Sequence, residues 1–346
     1  MRAFAVMMMV QGHTIDAVLG ENYRNLDNPV FWVWTFMRGM TAPIFLMTSG
    51  TVFMYLFRTA DKPFRDNPRV AKGFQRVVLL IMLGYLLRYP DYNIFYLGTA
   101  TYQQWVTFFS VDVLHLIGFG LLFTMLLGWL AELLKKDDFW VFLIASVVFV
   151  LLWQPFEHID WKSFISPLFS GYLYTKTGSL FPLFPWLAYF FLGAIIGSIL
   201  AKYPMIFKDS KFSTQVSVLG IAMIVISVAG DFLERWVTGT STYWTTSPNL
   251  VIMRVGFVLL LMGSFIFASL KVNTIPKIFI LLGRNTLLIY VVHLLIMYQS
   301  PAKVYFTRTY TPFETLLMAV GMISLMVLMV YLLNFFKLKN NPLVAN

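Results

Sequence analysis

The chain has 346 residues, of which 59% are hydrophobic, 18% aromatic and 12% charged, with a mean hydropathy of +0.73. Soluble domains carry about 25% charged residues, so this composition excludes an ordinary soluble protein and predicts an all-α, polytopic membrane bundle. The net charge of +10 is spread over short loops, which argues against a nucleic-acid partner. The absence of cysteine excludes disulfides, a thiol nucleophile and a thiolate metal site.

Apolar stretches long enough to cross a bilayer recur along the chain and predict about ten transmembrane helices in a single domain over residues 1–346. The first stretch begins at Met1 without the basic segment of a signal peptide, so we expect the natural chain to have a further N-terminal flank. The predicted spans lie near residues 2–20, 30–57, 74–90, 111–133, 139–154, 185–201, 215–233, 250–270, 278–298 and 313–336.

Basic residues are distributed unequally between the two sets of loops. Fifteen lysines and arginines fall on one side and seven on the other, and four fall within spans or at their ends: Arg2, Arg38, Arg254 and Arg284. Positive loops stay cytoplasmic, so we expect a multi-pass protein of a bacterial inner membrane with both termini in the cytoplasm. The longer outer segments, 91–110, 155–184 and 234–249, are rich in aromatic residues, which suit either interface anchors or a stacking surface for sugars.

The first predicted helix carries three ionisable residues in an apolar segment. Arg2 and His13 are eleven residues apart and therefore share one side of the helix, and Asp16 lies on the adjoining ridge. A rise of about 1.5 Å per residue puts His13 roughly 16 Å from Arg2, near the middle of a bilayer. Ionisable groups at that depth are costly and usually line a functional path. This helix is therefore where we expect the chemistry of the protein to lie.

The second and fourth predicted helices add further polar groups. Arg38 lies in the second helix, and Gly39 and Pro43 after it could bend the helix and open a cavity. A guanidinium at this depth needs an anionic partner, which is either a ligand or a structural ion pair with Asp16 or Asp112. Asp112 and His115 open the fourth helix, three residues apart.

The ninth predicted helix carries a polar stripe along an apolar segment. Arg284 and Asn285 lie at its cytoplasmic entry, and Thr286, Tyr290 and His293 follow on one face. Arg2 and Arg284 could together receive phosphates from the cytoplasm, or each could extend its charge to the membrane surface. His115 and His293 could equally make ordinary hydrogen bonds between packed helices. The loop sequence EHID at 157–160 does not have persuasive metal-ligand spacing, so no metal is predicted.

At these residues the sequence resembles the membrane-embedded acyltransferases related to heparan-α-glucosaminide N-acetyltransferase. Arg2 and His13, separated by ten residues, match the motif shared across that group. The segment FMRGMTAPIFLMTSG at 36–50 matches its second-helix pattern. Three further segments agree in order: DVLHLIGFGLL at 112–122, PLFPWLAYFFLGAIIG at 182–197 and LGRNTLLIYVVHLLI at 282–296.

The resemblance implies transfer of an acetyl or other short acyl group from cytoplasmic acetyl-CoA to a sugar or glycan on the far side of the membrane. His13 would match the catalytic histidine, as a general base or as the acyl carrier. Asp16 or Asp112 would orient its imidazole, and Arg38 would stabilise the oxyanion. We assign donor binding to Arg2, Arg284 and Asn285, and acceptor binding to His115, Trp186, Tyr290 and His293. The oligomeric state stays open.

Two other classes of function fit the same residues. A transporter or lipid-linked substrate flippase would use the buried histidine and arginine as a proton relay or anion site, with no acyl-CoA. A glycosyl or phospholipid-head transferase with a polyprenyl donor should show paired acids or a metal site in the outer loops. Glu157 and Asp160 are the only weak sequence signals for that class.

Overall fold

The computed structural model describes residues 1–89, 100–272 and 274–340, and within these ranges it is built from α-helices joined by short 3₁₀ turns. Its one β feature there is an isolated parallel bridge between Leu19 and Tyr310. The helices are α1 (Arg2–Val18), α2 (Pro29–Arg58), α3 (Pro68–Leu87), α4 (Tyr102–Phe109), α5 (Val113–Leu133), α6 (Asp138–Leu151), α7 (Trp153–His158), α8 (Pro167–Ser170), α9 (Leu183–Lys202), α10 (Ser210–Thr238), α11 (Pro248–Lys271), α12 (Lys277–Arg284), α13 (Thr286–Leu294) and α14 (Pro312–Asn340).

Eight segments of the described chain are long and apolar enough to cross a membrane: α2, α3, α4 with α5, α6 with α7, α9, α10, α11 and α14. A bent pair, Lys277–Arg284 with Thr286–Gln299, makes a ninth if it counts as one span. The predicted all-α polytopic bundle is confirmed. The remaining predicted span is α1, a helix of 17 residues. Residue 90 of the third predicted span and residues 91–99 of the first outer segment lie outside the described ranges.

The ninth predicted span is a broken helix and not the continuous one that the sequence suggested. The axes of α12 and α13 diverge by 69° across Asn285. The carbonyl of Leu281 accepts both the backbone N–H of Asn285, at 3.1 Å, and the side-chain amide of Asn285, at 2.8 Å, so Asn285 caps the end of α12. A short turn of π-helix, Leu295–Gln299, continues the span after α13. Irregular backbone at membrane depth is tolerated where protein or a cavity surrounds it.

The chain forms two compact units. The first contains Met1–Phe45 together with Ala268–Asn346, and in it α1 packs against α12, α13 and α14. The second contains Leu46–Phe267, in which α6 packs on α9 and α3 packs on α5. The single domain that the sequence suggested stays a prediction.

A buried ion pair joins several helices of the second unit. Arg58 at the end of α2 donates from Nε to Asp138 at 2.8 Å, and it also reaches the carbonyl of Gly128 at 3.2 Å. The hydroxyl of Ser198 in α9 donates to the same carboxylate at 2.7 Å. Because Asp138 is only 9% exposed, these donors compensate a carboxylate that water scarcely reaches.

Glycines allow α2 and α9 to approach closely in the second unit. A Cβ atom at Gly193 would overlap the carbonyl oxygen of Met47, and one at Gly50 would overlap that of Phe190. Backbone contact through small residues is how membrane helices gain packing energy without a hydrophobic driving force.

We therefore expect Gly193→Ala to lower the free energy of unfolding by about 1–3 kcal/mol, because the methyl group must push two backbones apart. Thermal unfolding of the detergent-solubilised protein measures this change. Gly321→Ala in α14 is the matched control, since a Cβ there meets no atom within 4 Å. An equal loss of melting temperature in both variants would contradict the packing argument.

Candidate active site

His13 of α1 contacts His293 of α13, and both lie in the first unit. His13 Nδ1 lies 3.0 Å from His293 Nε2, and the two rings stack with centroids 5.2 Å apart and an interplanar angle of 25°. His293 is fully buried, whereas His13 is half-buried. The buried ring therefore supports a ring that is more accessible.

The hydrogen bonds of His293 determine which nitrogen of His13 carries a proton. His293 Nδ1 lies 2.7 Å from the carbonyl oxygen of Ile289, which can only accept, so this nitrogen must be protonated. In the neutral ring, His293 Nε2 is then an acceptor, and His13 Nδ1 must donate to it. His13 Nε2 consequently keeps its lone pair. A nitrogen of this kind can act as a base or as a nucleophile.

Asp16, three residues beyond His13, is held between two arginines. Its Oδ2 accepts from Arg38 Nη2 at 2.7 Å, and its Oδ1 accepts from Arg24 Nη1 at 3.2 Å. Arg24 also donates to the backbone carbonyls of Asp16 and Leu19. The ion pair between Arg38 and Asp16 is one of the two roles that the sequence left open for Arg38. Arg24 Nε also lies 3.8 Å from Glu21 Oε2, so the two guanidinium groups are paired with two carboxylates.

Arg38 also lies over an aromatic ring that is fixed from α1. Its guanidinium carbon is 5.8 Å from the centroid of Trp34, a cation–π distance. The indole of Trp34 donates to Gln11 Oε1 at 3.2 Å, two residues before His13. The side chain of Arg38 is 42% exposed, so much of its guanidinium stays open to a ligand.

The predicted donor-binding residues gather where α12 meets α13. Arg2 Nη2 donates to the hydroxyl of Thr286 at 2.8 Å, which joins the start of α1 to the start of α13. A Cβ at Gly283 would lie 3.8 Å from Arg2, so the backbone next to Arg284 also lies against Arg2. Arg284 is exposed, and Asn285 binds the carbonyl of Leu281. The structure therefore brings the segments that contain Arg2 and Arg284 close together.

Tyr290 lies one helical turn before His293 and is buried. Its ring meets the imidazole of His293 edge to face, with centroids 5.7 Å apart. The π-helical turn begins two residues after His293, and single turns of this type often occur at functional sites. Tyr290 and the turn both restrict the orientation of the His293 ring.

Asp112 and His115 lie in the second unit and make local contacts at the start of α5. Asp112 Oδ1 accepts from the backbone N–H of Val113, and the backbone N–H of Asp112 donates to His115 Nδ1 at 3.1 Å. Arg88 pairs with Asp112 at 3.7 Å. These contacts form a helix cap. The partner described for His13 Nδ1 is His293, and the role of Asp16 or Asp112 in orienting His13 stays a prediction.

Trp186 of α9 also lies in the second unit, with the guanidinium carbon of Arg254 5.5 Å from its ring centroid. The loop acids Glu157 and Asp160 bind the backbone N–H of Thr175 and the hydroxyl of Ser163, respectively. Among residues 1–89, 100–272 and 274–340, no group of three or more histidines or acids is arranged to hold a metal ion.

Comparison with protein families matches residues 1–335 to an acyltransferase domain, so the match covers both units and every residue discussed above. The chain belongs to the acyltransferase-3 family. The search for similar curated proteins found no match. The protein is accordingly a membrane acyltransferase. Its helical bundle lies in a lipid bilayer, and its reaction uses an acyl donor and an acceptor.

Two contact partners in this acyltransferase were not identified from the sequence. For His293 the sequence offered acceptor binding or a hydrogen bond between packed helices, and the structure shows that its partner is His13. Arg24 was counted as a loop charge, but it binds the carboxylate of Asp16. The sequence contained one signal for the contact between His13 and His293: both residues lie well inside their predicted spans, at a similar depth in the membrane.

Proposed function

We propose that this acyltransferase moves an acetyl or other short acyl group from cytoplasmic acyl-CoA to a sugar or glycan acceptor on the extracytoplasmic side, with His13 as the catalytic residue. The observation that carries the proposal is the hydrogen-bond order Ile289–His293–His13, which leaves a lone pair on His13 Nε2. The family supports acyl transfer, and the geometry supports His13 as the group that performs it.

In direct transfer, His13 Nε2 removes the proton from the acceptor hydroxyl or amine while that atom attacks the thioester carbonyl. A carbon–oxygen or carbon–nitrogen bond forms, the carbon–sulfur bond breaks, and the imidazolium returns the proton to the CoA thiolate. In the two-step route, Nε2 attacks the thioester carbonyl, the carbon–sulfur bond breaks to release the CoA thiolate, and the acyl group is held on Nε2. The acceptor then attacks the acyl carbon, the bond from this carbon to Nε2 breaks, and the acceptor proton passes to the thiolate. Both routes need the same unprotonated nitrogen, and in both His13 Nδ1 keeps its proton and donates a hydrogen bond to His293.

Arg38 is the group that we assign to the oxyanion of the tetrahedral intermediate. It carries several N–H donors, of which one binds Asp16 at 2.7 Å, and 42% of its side chain is exposed. A fixed cation facing a developing negative charge contributes most in a site with little water. Asp16 would hold Arg38 in place, rather than orient His13 as the sequence suggested.

Donor binding is assigned to the junction of α12 and α13. Arg2 and Arg284 supply positive charge there, and Asn285 lies at the break between the helices. The positive-inside rule puts this junction on the cytoplasmic side, where acyl-CoA is found. About 16 Å of helix separates Arg2 from His13, a distance that suits the extended arm between the phosphates and the thioester of CoA.

The acceptor is assigned to the opposite side of the membrane, with a role for Tyr290, His115 and Trp186. A sugar or glycan acceptor and a relationship to heparan-α-glucosaminide N-acetyltransferase follow from the ordered segments described above. Neither is needed for the chemistry of His13, and a different hydroxyl or amine acceptor would use the same base.

Ligand-dependent thermal unfolding of the purified protein tests the donor. We expect acetyl-CoA and CoA to raise the melting temperature, because a ligand at 100 times its Kd stabilises the folded state by about 2.7 kcal/mol. We expect 3′-dephospho-CoA to raise the melting temperature less, because it lacks one of the phosphates that Arg2 and Arg284 are proposed to bind. Arg284→Gln should reduce the rise in melting temperature. The control is Arg308→Gln, which should not reduce it, because Arg308 is an exposed arginine paired with Glu21. No response to any of the three ligands would contradict acyl-CoA as donor and favour a transporter.

A further inference from the structure

Arg254 is an arginine inside a membrane span, and the structure describes no ion pair for it within residues 1–89, 100–272 and 274–340. It lies in α11, six residues after Pro248, with its guanidinium over the face of Trp186 and beside the hydroxyl of Tyr189. Among the residues that the structure describes, no carboxylate lies within 4 Å of Arg254. Two other half-buried arginines, Arg24 and Arg58, are paired with Asp16 and Asp138.

The polar atoms of this cluster are buried. The side chain of Tyr189 is 0% exposed, and its hydroxyl oxygen lies within reach of the Arg254 guanidinium. Arg254 Nε is buried and has no hydrogen-bond partner within the described ranges. A buried donor that makes no hydrogen bond is destabilising, and a charged donor is more so. Arg254 and Tyr189 thus present donors that an anion could accept.

Aromatic rings surround these donors. Trp186 lies against both Arg254 and Tyr189, with its ring centroid 5.8 Å from that of Tyr189, and Phe181 meets Trp186 edge to face at 4.9 Å. Rings limit the access of water, and a charge interaction is stronger in such surroundings. Ion pairing therefore has a larger effect here than at an exposed arginine.

The cluster lies near the starts of two helices that end in a basic residue. Trp186 and Arg254 are close to the first residues of α9 and α11, whereas Lys202 and Lys271 are at the last residues of these helices. The basic end is expected to face the cytoplasm, so Arg254 lies toward the opposite side. An anion that reaches it would come from the acceptor side rather than from CoA.

We propose that Arg254, Tyr189 and Trp186 form a binding subsite for an oxyanion, a carboxylate or a phosphate, carried by the acceptor. The guanidinium and the phenolic hydroxyl donate to the oxyanion, and Trp186 holds the guanidinium in place. The assignment to the acceptor depends on the proposed function, but the oxyanion site itself does not. The acceptor is then an acidic sugar or a phosphate-bearing glycan.

Thermal unfolding of the full chain in a neutral detergent tests the subsite. The probes are glucuronate and glucose 1-phosphate, with glucose as the uncharged control. We expect both acidic sugars to raise the melting temperature and glucose to have no effect. Arg254→Gln should weaken the apparent affinity for the acidic sugars at least tenfold, Arg254→Lys and Tyr189→Phe should weaken it less, and Arg235→Gln should not change it. Arg235 is an exposed arginine of the same unit that pairs with Asp231.

Three outcomes separate the alternatives. Equal responses of the wild type and Arg254→Gln, or no response to either acidic sugar, would overturn the acceptor subsite. Stabilisation by phosphatidylglycerol in phosphatidylcholine nanodiscs without a response to the acidic sugars would assign the oxyanion to a lipid headgroup and overturn its assignment to the acceptor. His13→Ala should keep the response to acidic sugars, so the subsite is testable even if the role of His13 is wrong.

Discussion

Replacing His13 by alanine is expected to lower the rate of acyl transfer by at least about 10³-fold, because general acid–base catalysis contributes 10²–10⁴ and loss of a covalent nucleophile costs more. The variant lacks the Nε2 lone pair that both routes require. The measurement is the initial rate of label incorporation from [¹⁴C]acetyl-CoA into membranes that contain the protein at matched amounts.

The control for this variant is His158→Ala. His158 is exposed and its Nδ1 contacts the carbonyl of Gln154, so we expect the wild-type rate. Acetyl-CoA should still raise the melting temperature of His13→Ala, which would show that the fold and the donor site are retained. Wild-type transfer by His13→Ala would contradict the catalytic role of this residue.

Replacing His293 by leucine is expected to lower kcat by about 100-fold with little change in KM for the donor, because His293 positions His13 and does not contact the donor in our proposal. Leucine removes the acceptor for the Nδ1 proton. The tautomer of His13 is then no longer fixed, and the imidazolium that forms during transfer loses a hydrogen bond. Steady-state kinetics with acetyl-CoA as the varied substrate measure this split.

Glutamine at the same position is the informative comparison. Its side-chain oxygen can accept the proton of His13 Nδ1, so His293→Gln should recover a substantial part of the kcat that leucine loses. A purely structural role for His293 would lower both variants alike, with parallel losses in melting temperature. Equal kcat values for the wild type and His293→Leu would contradict the positioning role.

Helix content could be predicted from the sequence because long apolar segments have few alternatives in a membrane. The break at Asn285 could not, because an Arg–Asn–Thr sequence within an apolar run does not by itself distinguish a continuous helix from two helices at 69°. The side-chain amide of Asn285 caps the carbonyl of Leu281 at this break, a contact that depends on the side-chain rotamer and not on hydropathy.

The candidate site was predictable where its residues share one helix. The spacing of Arg2, His13 and Asp16 follows from the helical repeat, and Arg38 required an anion because of its depth. The contact between His13 and His293 spans 280 residues of sequence, so its partner and geometry depend on the packing of α1 against α13. Arg24 was counted only as a loop charge, because its contact with Asp16 depends on how the chain turns after α1.

The most direct test of the account is transfer across the membrane in sealed inside-out vesicles. [¹⁴C]Acetyl-CoA is added to the outer solution, which corresponds to the cytoplasm, and label on glycans enclosed in the lumen is then measured. We predict that vesicles with the wild-type chain label lumenal glycans and that vesicles with His13→Ala do not. Equal lumenal labelling in both would contradict a transfer that passes through this imidazole.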